Sequence, residues 1–317
     1  MRALYTPTLS HVLSRHENPP KTLVRKGTST MRISTVIFIV ALLTLCPPGG
    51  PGSARAQYSD RLLQTSNGTT LGFGQILSDL REARLVFIGE QHSDTRHHDL
   101  QLRVLRTLHN LGTPVAIGLE MFTAKDQNFL DSWVQGTLAE VEFIKIHKRN
   151  WGDTWALYRS IYYYARDKKI PLLGLNVPEE ITTQVARHGF SSLSAEQRSE
   201  LPLVSCNIDE KYRSFIEKAL SVHATKEGGK KFDSFCEAQL IWDTTMAFRL
   251  VQYLKGNPEV TVVVVAGNSH SWRPGIPEQL NRFTDGIEYR IVLPEVPPVQ
   301  TRNSIDESIA DYLWLLE

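Results

Sequence analysis

The chain alternates between two kinds of pattern. Residues 85–88, 115–119, 171–175 and 260–265 are apolar runs, broken only by Thr261, with no alternation of polar and apolar positions. Short runs that are apolar on both faces predict strands buried in the middle of a parallel sheet. Between them lie stretches with apolar residues every three or four positions. Residues 94–111 carry Gln101, Val104, Leu105, Leu108 and Leu111 on one stripe, and residues 153–168 carry Trp155, Tyr158, Ile161, Tyr162 and Ala165. Both read as amphipathic helices, the first capped by Ser93 or Asp94. Shorter helices are expected over 71–82, 126–135 and 179–189, a long helix over 232–254, and a further strand over 287–293. Residues 57–68 read as loop, 137–150 show no clear period, and 312–316 form a short apolar patch after a proline-rich tail.

Strands that alternate with helices need crossover connections. The pattern therefore predicts an α/β fold, a mainly parallel sheet flanked by helices. Residues 190–231 are polar and poor in strand signals, and read as a smaller helical insert or lid. Residues 57–317 are accordingly expected to form a single α/β domain, with 1–56 as an N-terminal extension.

Composition narrows the reading by exclusion. The 317 residues are 41% hydrophobic and 22% charged, with a net charge of +1. This is an ordinary globular balance without the basic run that nucleic-acid binding needs. The extension is more telling. Met31-Arg32 opens a positive segment, residues 36–46 are apolar, a Pro/Gly turn follows, and Ala54-Arg55-Ala56 has the A-x-A form of a cleavage site. This order of features predicts a secretory signal peptide starting at Met31, too short for a comfortable membrane span. The expected location is outside the cytoplasm, in a bacterial periplasm or associated with the outer membrane. Cys46 offers a second route, lipid attachment, in which case the membrane becomes a partner; Leu45 before it is larger than such sites prefer. Cys206 and Cys236 either pair in an oxidising compartment, or Cys236 is simply buried on its helical stripe.

In open α/β sheets, ligands bind beyond the carboxyl ends of the strands. Here the first strand runs into Gly89-Glu90-Gln91-His92 and then His97-His98. The second ends at Glu120, the third at Asn176, and the fourth at Asn268 and His270. Polar groups at the ends of buried strands are costly without partners, so a shared site is expected. Glu90, His92, Glu120 and His270 are the candidate catalytic residues. With His98 they are also candidate ligands for a divalent metal such as Zn, Mn or Fe. Asn176, Asp243 and Asn268 are expected to support them, Asp243 because it lies on the apolar stripe of Cys236, Leu240, Ala247 and Leu250. Metal-free acid/base chemistry fits the same residue types. No G-x-S-x-G elbow, phosphate loop or helical H-E-x-x-H is present, which disfavours serine hydrolysis, nucleotide binding and a zincin site. His109, His147, His188 and His223 read as surface or capping residues. Tyr162-Tyr163-Tyr164 reads as core plus surface, with tyrosinate ligation of ferric haem as the alternative.

Several motifs occur in a fixed order. They are Gly89-Glu90-Gln91-His92 with His97-His98 and Gln101, Leu119-Glu120-Met121-Phe122, Trp155 with Tyr158-Arg159, and Leu175-Asn176-Val177-Pro178. Ala238-Gln239, Trp242-Asp243 with Met246-Ala247, and Ala266-Gly267-Asn268-Ser269-His270 with Gly275-Ile276-Pro277 follow. Across residues 70–285 this set resembles the ChaN family of exported haem-binding proteins. The resemblance implies haem as ligand and a role in haem or iron uptake at the bacterial cell envelope. It also implies a homodimer, since some members hold haem between subunits, and an outer-membrane uptake machinery as partner. The family is similar in turn to the Tiki metalloproteases and the erythromycin esterases. That similarity implies the alternative, a metal-dependent protease or esterase acting through Glu90, His92, Glu120 and His270. No matched motif names the haem ligand.

Overall fold

The computed structural model describes residues 58–202, 213–214 and 230–317. The extension with Met31 and Cys46, most of the expected insert, Cys206 and His223 lie outside the described residues. Strands β1 (Tyr58–Gln64), β2 (Thr69–Gly72), β3 (Leu85–Glu90), β4 (Val115–Thr123), β5 (Leu172–Asn176), β6 (Thr261–Gly267), β7 (Tyr289–Pro294) and β8 (Tyr312–Leu316) form one sheet. The helices are α1 (Leu77–Glu82), α2 (Thr95–Asn110), α3 (Gln127–Gln135), α4 (Glu140–Trp151), α5 (Trp155–Lys168) and α6 (Glu179–His188), then α7 (Ala195–Ser199), α8 (Lys230–Gly256), α9 (Asn268–Ser271) and α10 (Ile276–Leu280).

The sheet order is β2-β1-β8-β7-β3-β6-β4-β5. From β8 to β5 all neighbours are parallel, while β1 pairs antiparallel with both β8 and β2. Every residue of β3 and β6 is buried, as the apolar runs predict. Side chains of β3 alternate between two layers. Val86 and Ile88 pack with Leu100, Val104, Leu105 and Leu108 of α2 and with the aromatic side chains of α3, α4 and α5. Leu85 and Phe87 pack with Met246 and Leu250 of α8 and with Ile276 and Leu280 of α10. The chain thus leaves β3 on one face and the adjacent β6 on the other. A crevice opens between strands whose connections diverge in this way.

Four expectations need correction. Residues 58–64 are a strand, not a loop. As the inner strand of an edge hairpin, β1 buries only Ser59 and Leu62, too few apolar positions to show a strand pattern. Residues 71–82 are not one helix: β2 ends at Gly72, a 3₁₀ turn covers Phe73–Ile76, and α1 follows. The unperiodic stretch 137–150 is mostly α4, which runs one residue past it to Trp151 and buries Phe143, Ile146 and His147; a histidine at a core position hides the period. The patch 312–316 is β8, buried between β1 and β7. Asp94 caps α2 as expected, accepting from the Arg96 amide at 3.0 Å.

Candidate functional site

Glu90 and Gly267 end β3 and β6 and pair with each other, and Glu120 follows the last β4–β6 pair, Leu119 with Val265, so the three meet on one side of the sheet; the second strand does not end at Glu120 but continues to Thr123. Gly89 permits this packing. A Cβ there would lie 2.4 Å from Asn268 Oδ1 and 2.6 Å from a Leu293 methyl. Gly267 does the same for the site itself: the His92 ring lies against it, where a Cβ would come within 3.0 Å of Cε1.

Glu90 is buried and enclosed by donors. His92 Nδ1 donates to its Oε1 at 2.7 Å and the Tyr158 hydroxyl donates to the same oxygen at 2.5 Å. The Gln101 amide donates to Oε2 at 2.8 Å, and His98 Nδ1 lies 3.0 Å from that oxygen. His98 Nε2 faces the His92 carbonyl at 3.1 Å. Both nitrogens of His98 therefore face acceptors, an arrangement that only the doubly protonated imidazolium satisfies. Burial alone would raise the Glu90 carboxyl, but hydrogen bonds from His92 and His98 outweigh it and hold the group well below the usual carboxylate range. Burial opposes the charge on His92 and His98, yet contact with Glu90 raises both.

His97 behaves differently. Its Nδ1 accepts from the Gln91 amide at 2.8 Å, so Nε2 carries the proton and donates to Tyr58 Oη at 2.7 Å; that hydroxyl donates on to the Glu295 carbonyl. Burial pushes His97 down to about 4, and it ties the strand-end loop to β1 as a neutral group.

A second group lies across Gly267. Glu120 Oε2 accepts from the Gly267 amide at 2.6 Å, and Asn176 holds the Glu120 backbone carbonyl at 2.7 Å. His270 Nδ1 donates to Asp243 Oδ1 at 2.6 Å, and its Nε2 lies 3.4 Å from Glu120 Oε1. The Gln239 amide donates to the other Asp243 oxygen at 3.3 Å. Burial works against a charged His270, but Glu120 and Asp243 raise it to about 9.

The structure thus brings together every strand-end candidate: Glu90, His92, His98, Glu120 and His270, with Asn176 and Asp243 in support. Asn268 is nearby, its Oδ1 buried without a partner among the described residues. The set is paired with itself. Among the described residues no group of three or more His, Cys, Asp or Glu side chains is disposed to hold a metal ion. The expected Zn, Mn or Fe centre does not fit this arrangement, in which Glu90 is saturated by donors and both nitrogens of His98 and His270 face acceptors. Sequence reasoning missed Gln101 and Tyr158 as site residues. Both lay on apolar helical stripes, where a polar group signals a buried partner, as it did at Asp243. His147 is also corrected: it is buried among Phe122, Phe143 and Trp155 and bonded to Thr154 and Tyr162, not on the surface. Tyr162 is fully buried in the same cluster, which removes it as an accessible haem ligand.

A cavity of ≈ 970 Å³ lies against the site. Its walls include Met121, Phe129, Trp151 and Trp242, with Lys148 and Arg149 among its polar residues. Trp151 meets the His92 ring edge-on at 5.1 Å, and Trp242 meets His270 at 5.9 Å. The His92 side chain is 46% exposed, while Glu90 behind it is not exposed at all.

No curated relative matches the chain. Among solved structures it is similar to ChaN of Campylobacter jejuni, described with cofacial heme binding, at 20% identity and a TM-score of 0.64, covering 81% of this chain and 96% of that one. Weaker likenesses are to the erythromycin esterase EreC, at 14% identity and a TM-score of 0.45 over 80% of this chain and 82% of that one, and to the type III effector HopBA1, at 12% and 0.43 over 75% and 90%. The first shares the fold. The family model for haem-binding uptake proteins of the Tiki superfamily (ChaN) matches residues 76–280, more than half of the sequence, and the chain belongs to that family.

Proposed function

We propose that this protein binds haem as cargo in the large cavity and serves haem or iron uptake after export. The observation that carries the reading is the aromatic-walled cavity of ≈ 970 Å³, whose wall residue Trp151 meets the half-exposed His92 ring at 5.1 Å. A cavity of this size falls in the range that holds drug-sized and cofactor-sized ligands. The residues suit a porphyrin. Trp151, Trp242, Phe129 and Met121 offer apolar surface, and Glu90 at His92 Nδ1 fixes the ring and makes its other nitrogen a better ligand. Bound haem iron would take an imidazole there, whereas Tyr158 and Tyr162 are engaged inside the core. Export rests on the signal-like segment 31–56, and the amino terminus of the mature protein tests it.

The binding test is a haemin titration of the purified protein. A saturable shift of the Soret band is expected, reduced or displaced by His92→Ala. A spectrum that stays that of free haemin throughout would end the reading. A second reading, hydrolysis, draws on one specific feature: His270 held between Asp243 and Glu120 behind Trp242 of the cavity wall, a geometry suited to proton transfer. It requires turnover of an ester or peptide that His270→Ala abolishes.

A further inference from the structure

A smaller cavity of ≈ 290 Å³ shares Thr123, Lys125, Asn176, Val177 and Pro178 with the large one, so the two adjoin. Two residues of α8, one turn apart, line it: Thr245 and Arg249. Thr245 is 3% exposed, and its hydroxyl has no hydrogen-bond partner among the described residues. The Nε of Arg249 is likewise buried and, among the described residues, unpartnered. Buried polar atoms are nearly always satisfied, and leaving them unpaired destabilises the fold. Two orphans on one helix face, both lining one cavity, mark a place where a ligand completes the bonding.

The charges nearby say which ligand. The other cations lining the two cavities among the described residues are already paired: Lys125 with Glu200 at 3.1 Å, Lys148 with Asp153 at 2.7 Å, and Arg149 with Asp126. Arg249 enters no ion pair among the described residues. One guanidinium edge and one hydroxyl match a planar monoanion, which a guanidinium binds through two parallel bonds. A phosphate would leave acceptor oxygens unpaired against Val177, Ile181 and Leu201, which also line the cavity.

We propose that the smaller cavity is a carboxylate subsite, where Arg249 and Thr245 receive the acidic arm of a ligand whose apolar body occupies the large cavity. The proposal rests on the haem reading only in naming that arm as a propionate; the subsite would serve any apolar carboxylate.

The test uses two pairs of probes on the purified chain. Protoporphyrin IX and its dimethyl ester are titrated by porphyrin fluorescence, and benzoate and benzamide are compared by thermal shift. The free porphyrin acid should bind roughly tenfold or more tightly than the diester, the scale of one charge-assisted pair. Arg249→Gln should erase that preference while leaving diester affinity unchanged. Benzoate, not benzamide, should raise the melting temperature of the wild type and not of Arg249→Gln. Thr245→Val should weaken acid binding severalfold yet raise the melting temperature of the ligand-free protein, because an orphan hydroxyl is replaced by a methyl of the same shape. Equal binding of acid and diester, a benzoate shift that survives Arg249→Gln, or no benzoate shift at all would overturn the subsite. Failure of both porphyrins to bind, with an Arg249-dependent benzoate shift intact, would remove the haem reading and keep the subsite.

Discussion

Around Glu90 one carboxylate is enclosed by donors; around His270 one imidazole is enclosed by acceptors. The two groups flank the same glycine, and each solves the problem of a buried charge in the opposite sense. Glu90 takes bonds from His92, Tyr158 and Gln101, with His98 in contact, so its lone pairs are spent inward. What this half exposes is the His92 ring, held from behind and set against Trp151 of the cavity wall. His270 instead has Asp243 on one nitrogen and Glu120 on the other, and Glu120 is itself fixed by the Gly267 amide. The first half is a support for an exposed ring, and the second is a store for a proton. A shared list of glutamate and histidine hides that difference.

The comparison breaks most sharply by removing the central group of the first half. Glu90→Ala leaves four side-chain donors, on His92, His98, Gln101 and Tyr158, without their common acceptor inside the core. Truncating one partner of a buried charged pair costs about 3–5 kcal/mol. The expected outcome is a loss of that size in denaturant-unfolding stability, with haem binding lost as well. Glu90→Gln should recover part of the stability, since an amide oxygen still accepts, but not the charge that holds His92. A Glu90→Ala protein of wild-type stability would show that the donors find water instead, and that the first half is no anchor.

The second half is tested by pH. His270 stands at about 9 when folded, raised by Glu120 and Asp243 against burial, while an unfolded histidine titrates near 6.5. A folded value above the unfolded one means that the stabilisation is complete below about pH 6.5 and is lost as pH rises through about 9. The amount at stake is on the order of 3 kcal/mol. Asp243→Asn should lower the His270 value and flatten the alkaline limb, as read by unfolding curves at stepped pH. Glu90, held below its usual range, works the other way: its contribution is present above the ordinary carboxylate value and fades as pH falls through that range. An alkaline limb unchanged by Asp243→Asn would assign it to other groups.

The two halves were unequally legible. The parallel core could be read because β3 and β6 are buried on both faces and leave apolar runs. Glu90 at the end of β3, Glu120 inside β4 and His270 on the short helix after β6 were flagged by the same runs, and Asp243 by its place on an apolar stripe. The order of the strands was not legible: that β6 lies between β3 and β4 is set by crossovers, which no local pattern records. Nor was the pairing within the site, which joins Glu90 to Tyr158 on α5 and to Gln101 on α2 through tertiary packing. The hairpin β1–β2 failed for a different reason. An edge needs few buried side chains, so its pattern is diluted. His147 failed because a neutral histidine, pushed down to about 4 by burial, packs like an aromatic while reading as polar.

The smallest effect separates the halves most cleanly. Gly267 lies between them, and a Cβ there would sit 3.0 Å from His92 Cε1 and 3.3 Å from Nε2, but 3.6 Å from Glu120 Oε2. Those contacts press on the half-exposed ring and leave the carboxylate in ordinary contact. The ring gives by a few tenths of an ångström, so Gly267→Ala should cost little stability, about 1 kcal/mol or less, within the range of ordinary single substitutions. Its consequence should appear in the first half alone. The Soret maximum of the haemin complex shifts or its affinity falls, because the turned imidazole loses its alignment with the cavity, while the alkaline limb governed by His270 keeps its midpoint. A substitution that moved the His270 limb and left the haemin spectrum untouched would reverse the roles: the ring of His92 would then be the support, and His270 the group that meets the ligand.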